Sequence, residues 1–181
     1  MSAPLTIWTI GHSTRPLDAL LDLLRAHGIE ALADVRRYPG SRKHPHFNPE
    51  PLRAGLAAAG IAYHPFPELG GRRAPRPDSP HTAWRNAAFR GYADYMDTPA
   101  FAQALERLVA LARARRTAMM CAEGLWWRCH RALIADALKA RGVEVLHIVD
   151  KTRTEAHPYT SAARVVDGRL HYGPAQGRLP F

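Results

Sequence analysis

The apolar positions of this chain switch repeatedly between two spacings. Residues 6–10 form a short β-rich run that stops at Gly11 and predict a first strand. Leu17, Leu20, Leu21 and Leu24 then recur at helical spacing, with Ser13 or Thr14 as the cap, Pro16 in the first turn and Gly28 as the stop. Residues 29–35 predict a second strand. Asn48 and Pro49 open a second helix that turns Leu52 and Leu56 inward and ends at Gly60, and residues 61–66 follow as a third strand. Residues 84–96 predict a helix through Phe89, Tyr92 and Met96. Another begins at Thr98 and Pro99 and gathers Phe101, Leu105, Leu108 and Ala112 on one face. Residues 117–121 form a fourth strand, residues 129–141 a helix stopped by Gly142, and residues 143–149 a fifth strand. Between the third strand and the next helix, residues 67–80 are rich in Gly, Pro and Arg and predict a long loop. Residues 165–170 predict a hairpin around the Asp167-Gly168 turn.

Strands alternating with helices predict an α/β fold: a Rossmann-like, mostly parallel sheet of about five strands with helices on both faces, plus a C-terminal hairpin. At 181 residues the chain reads as a single domain, with a core over about residues 5–150 and a tail over 151–181. The tail is able to extend the sheet, cover a pocket or pair with a second subunit. Apolar residues make up 46% of the chain, which excludes disorder. No apolar run reaches the roughly 18 residues of a membrane span, so no membrane partner is expected. Met1-Ser2-Ala3-Pro4 leads into the first strand without a charged n-region or cleavage site, which predicts a cytoplasmic protein.

Charge narrows the class of partner. The net charge is +9 and the pI about 10.2, which favours anionic ligands such as nucleotides, nucleic acid or other phosphorylated molecules. Only Lys43, Lys139 and Lys151 are lysines, and the arginine excess is also what a GC-rich genome produces. The basic residues are nonetheless clustered. Arg36, Arg37, Arg42, Lys43 and Arg53 share one stretch with a single acid, Glu50, and Arg72, Arg73 and Arg76 form a second group.

In open parallel sheets, ligands bind beyond the carboxyl ends of the strands. Here those ends carry Gly11-His12-Ser13, Asp34-Val35-Arg36, Glu68 before Gly70-Gly71, Cys121-Ala122-Glu123 and Asp150-Lys151, while Cys129-His130-Arg131 opens a helix. Their convergence predicts one polar pocket. His12, Glu123, Cys129 and Cys121 are the candidate chemical groups, and Ser13, Asp34, Arg36, Glu68, Arg128, His130 and Arg131 the candidate ligand-binding groups. Cys129 or His130 would occupy the first helical turn, where free amides favour a thiolate or a phosphate. Arg36, Arg128 and Arg131 would hold phosphate. Asp34 and Arg36 would point the same way and pair, an arrangement that serves structure as readily as catalysis. Cys121 is equally read as a small apolar residue closing a buried strand. Trp126 and Trp127 would form a stacking wall for a base or pack on the first helix.

The leading reading is an enzyme acting on a nucleotide, nucleic acid or other phosphorylated anion. The first alternative is a non-catalytic nucleic-acid-binding module, and the second a Cys/His site for thiol redox chemistry or zinc. A cysteine phosphatase loop is excluded, because Cys121 and Arg128 have six residues between them, including Leu125, Trp126 and Trp127, where that chemistry uses five. Zinc would draw on Cys121, Cys129, His130 and His12, although no paired short-spacing motif is present. The cysteines are also too far apart for a Cys-x-x-Cys redox motif. Composition and spacing name no cofactor and no oligomeric state.

The run Thr9-Ile10-Gly11-His12-Ser13, then Asp34-Val35-Arg36 with Pro39 and Ser41, then Cys121-Ala122-Glu123 and Cys129-His130-Arg131, ending in His147-Ile148, resembles the family catalogued as domain of unknown function 488. The resemblance covers roughly residues 5–150. It implies a Rossmann-like fold and a pocket built from these positions, and it implies no substrate.

Overall fold

The computed structural model describes residues 4–173. Its sheet has six strands in the order β3-β2-β4-β1-β5-β6. The central strands β1 (Thr6–Gly11), β2 (Ala31–Asp34) and β4 (Thr117–Cys121) are buried almost throughout, as strands covered on both faces must be. β5 (Glu144–Ile148) flanks β1, and β3 (Ala62–Pro65) lies at the half-exposed edge, where Pro65 costs no ladder bond. These five strands are parallel. β6 (Thr154–Ala156) pairs antiparallel with β5 and extends the sheet. It is fully exposed and carries no apolar alternation, so hydrophobic pattern gave no sign of it.

The pleat divides the core in two. Trp8, Ile10, Ala118 and Met120 face α1 (Leu17–Ala26) and α2 (Pro49–Ala58), which contribute Leu20, Leu24, Leu52 and Leu56. Ile7, Met119 and Cys121 face the other way, toward α3 (Ala87–Met96), α4 (Pro99–Ala114) and α5 (Arg131–Ala140). Period two along β4 therefore sends Cys121 to the α5 side.

Helix starts differ from expectation where side chains found other partners. Pro16 sits at the N-cap of α1 with no side-chain cap, and Ser13 instead occupies a left-handed turn at φ 52°. Asn48 precedes α2, but its Oδ1 accepts from the Ser41 amide at 2.7 Å. α3 starts at Ala87, not at residue 84, because Asn86 accepts from the Ala88 and Phe89 amides. α5 starts at Arg131, so Cys129 lies just before the helix and His130 at its N-cap. The long loop after β3 is pinned to α3, where Asp94 accepts from the Arg76 amide and the Ser79 hydroxyl.

β7 (Arg164–Val166) and β8 (Arg169–His171) form the expected hairpin, with Asp167 at φ 52° and Gly168 at φ 75° in a turn that needs positive φ at both. The hairpin is a separate two-stranded sheet. Behind it, Ala162 and Tyr172 join the α5-side core. No described helix is long and apolar enough to cross a membrane.

Candidate functional site

The carboxyl ends of β2 and β4 and the start of α5 surround a cavity of about 260 Å³. Cys121, Cys129 and His130 lie at its base, Phe89, Tyr92 and Tyr38 form apolar walls, and Arg37, Arg72, Arg128 and Glu123 add charge around it. Gly11 makes this closure possible. A Cβ there would lie 1.8 Å from the Glu123 carbonyl oxygen, so only glycine lets residues 122–124 cross the end of β1. His12 and Ser13 amides then donate to Cys121 and Ala122 carbonyls at 2.9 and 3.0 Å.

That crossing folds the chain back and brings the two thiols together. Cys121 Sγ lies 2.7 Å from Cys129 Sγ, and both are buried. The Arg131 amide donates to Cys129 Sγ at 3.4 Å, and Arg131 Nε donates to Cys121 Sγ at 3.0 Å. On the other side, His130 Nδ1 is 3.3 Å from Cys129 Sγ, while its Nε2 donates to the Val35 carbonyl at 2.7 Å. A carbonyl only accepts, so in the neutral ring Nε2 carries the proton and Nδ1 offers its lone pair to Cys129. Burial lowers the His130 pKa and favours that neutral form.

Arg131 is 1% exposed, and among the described residues no carboxylate pairs with it. Its remaining donors go to Thr9 Oγ1 at 3.0 Å and to the Glu123 and Gly124 carbonyls at 2.6 and 3.3 Å. An isolated buried cation is costly, and the sulfurs are the groups placed to carry the opposing charge. Burial pushes the Cys129 thiol up, but the Cys121 hydrogen bond, the Arg131 charge and the Arg131 amide outweigh it and bring it down to about 7. Burial and donation to Cys129 drive Cys121 well above the ordinary thiol range. Above about pH 7 the pair thus holds one proton and one negative charge, which belong to both sulfurs together.

Arg36 is built differently. It forms a two-point ion pair with Asp34, Nε to Oδ1 at 2.8 Å and Nη2 to Oδ2 at 2.7 Å. Nη1 donates to the Pro39 carbonyl and toward His12 Nε2, and Nη2 also to the Phe47 carbonyl. Asp34 accepts further bonds from the Arg36 amide and the Tyr63 hydroxyl. All five guanidinium N–H groups are used, so Arg36 braces the loop beside the cavity and has none left for phosphate.

The model of the family described as domain of unknown function DUF488 matches residues 16–138. The chain belongs to that family. No curated protein and no solved structure matches it. The DUF488 match contains residues 34–36 and 121–131 and leaves residues 9–13 and 147–148 outside.

The other expected site residues of this DUF488 chain separate into those at the cavity and those turned from it. Glu123 and Arg128 are exposed at the cavity, with Glu123 Oε1 accepting from the Leu125 amide. Arg131 lies buried against the thiols and outside the cavity lining, with its donors on Cys121, Thr9 and two carbonyls in place of the expected phosphate. His12 is buried against Phe47, ring centroids 4.2 Å apart, outside the cavity lining. Its Nδ1 donates to the Ser13 carbonyl and its Nε2 faces Arg36, while burial holds its pKa at about 4. His12 thus lies as a neutral ring against Arg36 and Phe47, outside the cavity lining. Ser13 lies in the left-handed turn after β1, its amide on the Ala122 carbonyl and its side chain beside Gly124, outside the cavity lining. Glu68 points outward to Arg107 at 3.2 Å, which corrects its placement in the pocket. The four groups of the zinc alternative do not converge, because His12 is committed to Arg36 and Ser13. Trp126 stacks on His147 at 4.5 Å instead of walling the cavity, and Trp127 is exposed.

Sequence reasoning missed the lining residues Arg37, Tyr38, Arg72, Phe89 and Tyr92, although Arg37 and Tyr38 directly follow Arg36 and Arg72 lies in a basic cluster. It also missed a buried polar chain beneath the site. With one proton per ring, Arg131 Nη1 donates to Thr9, Thr9 to His147 Nδ1 at 2.5 Å, His147 Nε2 to His157 Nδ1 at 2.9 Å and His157 Nε2 to Asp136 at 2.8 Å. An aspartate within the otherwise apolar α5 run and a histidine within β5 were the available signals.

Proposed function

We propose that the cavity is the active site of an enzyme that uses Cys129 as a nucleophile on a phosphorylated ligand of nucleotide size. The observation that supports this most is the setting of Cys129 Sγ, between the lone pair of His130 Nδ1 and the Cys121 thiol, above a buried arginine and at the base of an open cavity. His130 takes the thiol proton when Cys129 is protonated, and the sulfur then forms a bond to the substrate as the leaving group departs. Arg37, Arg72 and Arg128 supply charge for the phosphate. Tyr38 is 59% exposed, with the Arg37 and Arg72 guanidinium carbons 5.2 and 5.8 Å from its ring centre. It offers a flat surface for a base at the open side, which suits a cavity too small to enclose a whole nucleotide.

The test is alkylation of the native protein with iodoacetamide across pH, with the labelled residue mapped by mass spectrometry and adenosine monophosphate added as a protecting ligand. We expect labelling at Cys129, a midpoint near pH 7 and slower labelling with the nucleotide. A midpoint at the free-thiol value of about 8.5 overturns the nucleophile assignment. A second reading, a nucleic-acid-binding module, draws on the exposed Arg42 and Lys43 beside the same loop. It requires that Cys129→Ser leave oligonucleotide binding unchanged and that affinity fall steeply with salt.

A further inference from the structure

We propose that Cys121 and Cys129 are a dithiol that a hydroperoxide oxidises to a disulfide, and that the disulfide form holds anions in the cavity more tightly than the reduced form. The proposal shares with the active-site reading the single negative charge on the sulfur pair. Three observations carry it. The sulfurs face each other at 2.7 Å, and both border the cavity, so a small oxidant reaches them. Cys121 is fixed at the end of β4 by Arg131, whereas Cys129 sits in extended backbone (φ −135°, ψ 156°) between a 3-10 turn (Trp126–Arg128) and α5. Bonding brings the sulfurs from 2.7 Å to about 2.05 Å, a small shift. Arg131, finally, has no carboxylate partner among the described residues, so the sulfur charge is its nearest balance.

The Cys129 thiolate attacks one peroxide oxygen, the O–O bond breaks, and the sulfur becomes a sulfenic acid while hydroxide or alkoxide leaves and takes up a proton. Cys121 then attacks that sulfur, the S–S bond forms and the sulfenic oxygen leaves as water. Two electrons pass from the sulfurs to the peroxide, and the Cys121 proton and one proton from solvent, replacing the one Cys129 released on ionising, end in the products. The disulfide carries no charge. Arg131 keeps its charge without a counter-charge beside it, and the base of the cavity turns from balanced to positive. An anion entering the oxidised site meets attraction where the reduced site offered a thiolate.

The full-length protein is treated with hydrogen peroxide, analysed by intact mass and peptide mapping, and titrated calorimetrically with inorganic phosphate before and after oxidation. The expected result is loss of two hydrogens, a 121–129 cross-link reversed by dithiothreitol, and a phosphate dissociation constant lower by roughly tenfold in the oxidised form. Added oxygen without a cross-link overturns the dithiol, and equal phosphate affinity in the two forms overturns the coupling. Neither measurement needs a variant, so a folding defect cannot obscure it. Alkylation separates the two proposals. A midpoint near pH 7 without a peroxide cross-link removes this inference and leaves the nucleophile standing, whereas a cross-link with a midpoint near 8.5 removes the nucleophile and the charge-based coupling and leaves the dithiol alone.

Discussion

Two arginines near the same strand ends have opposite fates, and the difference lies in their acceptors. Arg36 is surrounded by a carboxylate and two carbonyls and is spent entirely on the fold. Arg131 reaches carbonyls, a hydroxyl and a sulfur, and among the described residues no carboxylate pairs with it. The sequence places both beside the pocket but does not say how many of their donors remain free, since that depends on carbonyls of Pro39, Phe47, Glu123 and Gly124 contributed by loop backbone. Removing the Arg131 charge tests its part in ionising the thiols. Arg131→Met should raise the alkylation midpoint of Cys129 from near 7 past about 8, and Arg131→Lys should restore much of it. A purely structural arginine would lower the melting temperature in both variants and leave the midpoint where it was.

Among the elements, β4 coincides with its expected residues 117–121, and the inward face of α4 follows the 3.6-residue period closely, whereas α5 is buried all round over residues 131–138. Long buried segments were legible because burial on both sides leaves a dense apolar pattern. The tail's hairpin was legible from its Asp167-Gly168 turn, but its attachment was not, because polar bonds make it. Asp136 on α5 accepts from His157, from the Thr160 amide and hydroxyl, and from the Tyr172 hydroxyl. Four bonds to a side chain that is 0% exposed tie residues 157–172 to the helix that begins at the thiols. Asp136→Ala leaves these donors buried without an acceptor. A loss of roughly 3 kcal/mol is expected, together with faster amide hydrogen exchange across residues 154–172. Exchange that stays unchanged there would show that the hairpin is held by its apolar contacts instead.

At the scale of the whole molecule, the fold resists acid poorly. Burial keeps His12 at a pKa of about 4 and burial with the neighbouring His157 charge keeps His147 at about 2, both below the ordinary 6.5. Below pH 6.5 the unfolded chain takes up protons at these positions and the folded chain does not. Stability is therefore intact above 6.5 and falls with pH, down to about 4 for His12 and about 2 for His147. Each histidine contributes about 1.4 kcal/mol per pH unit across its window, so the melting temperature should drop by roughly 10 °C between pH 7 and pH 5. A flat profile over that range would contradict the buried neutral rings.

The order of the strands also says where this fold can be divided. The family match begins at residue 16 and ends at residue 138, after β1 and before β5. β1 is the strand between β4 and β5, bonded to both. A fragment cut to the matched boundaries would lose the middle of its own sheet and present β4, five buried apolar or small residues, as a bare edge to other copies. The segment by which the family is recognised is thus narrower than the sheet, and an expression boundary that keeps the sheet and the α5-side core whole begins before Thr6 and extends past Tyr172.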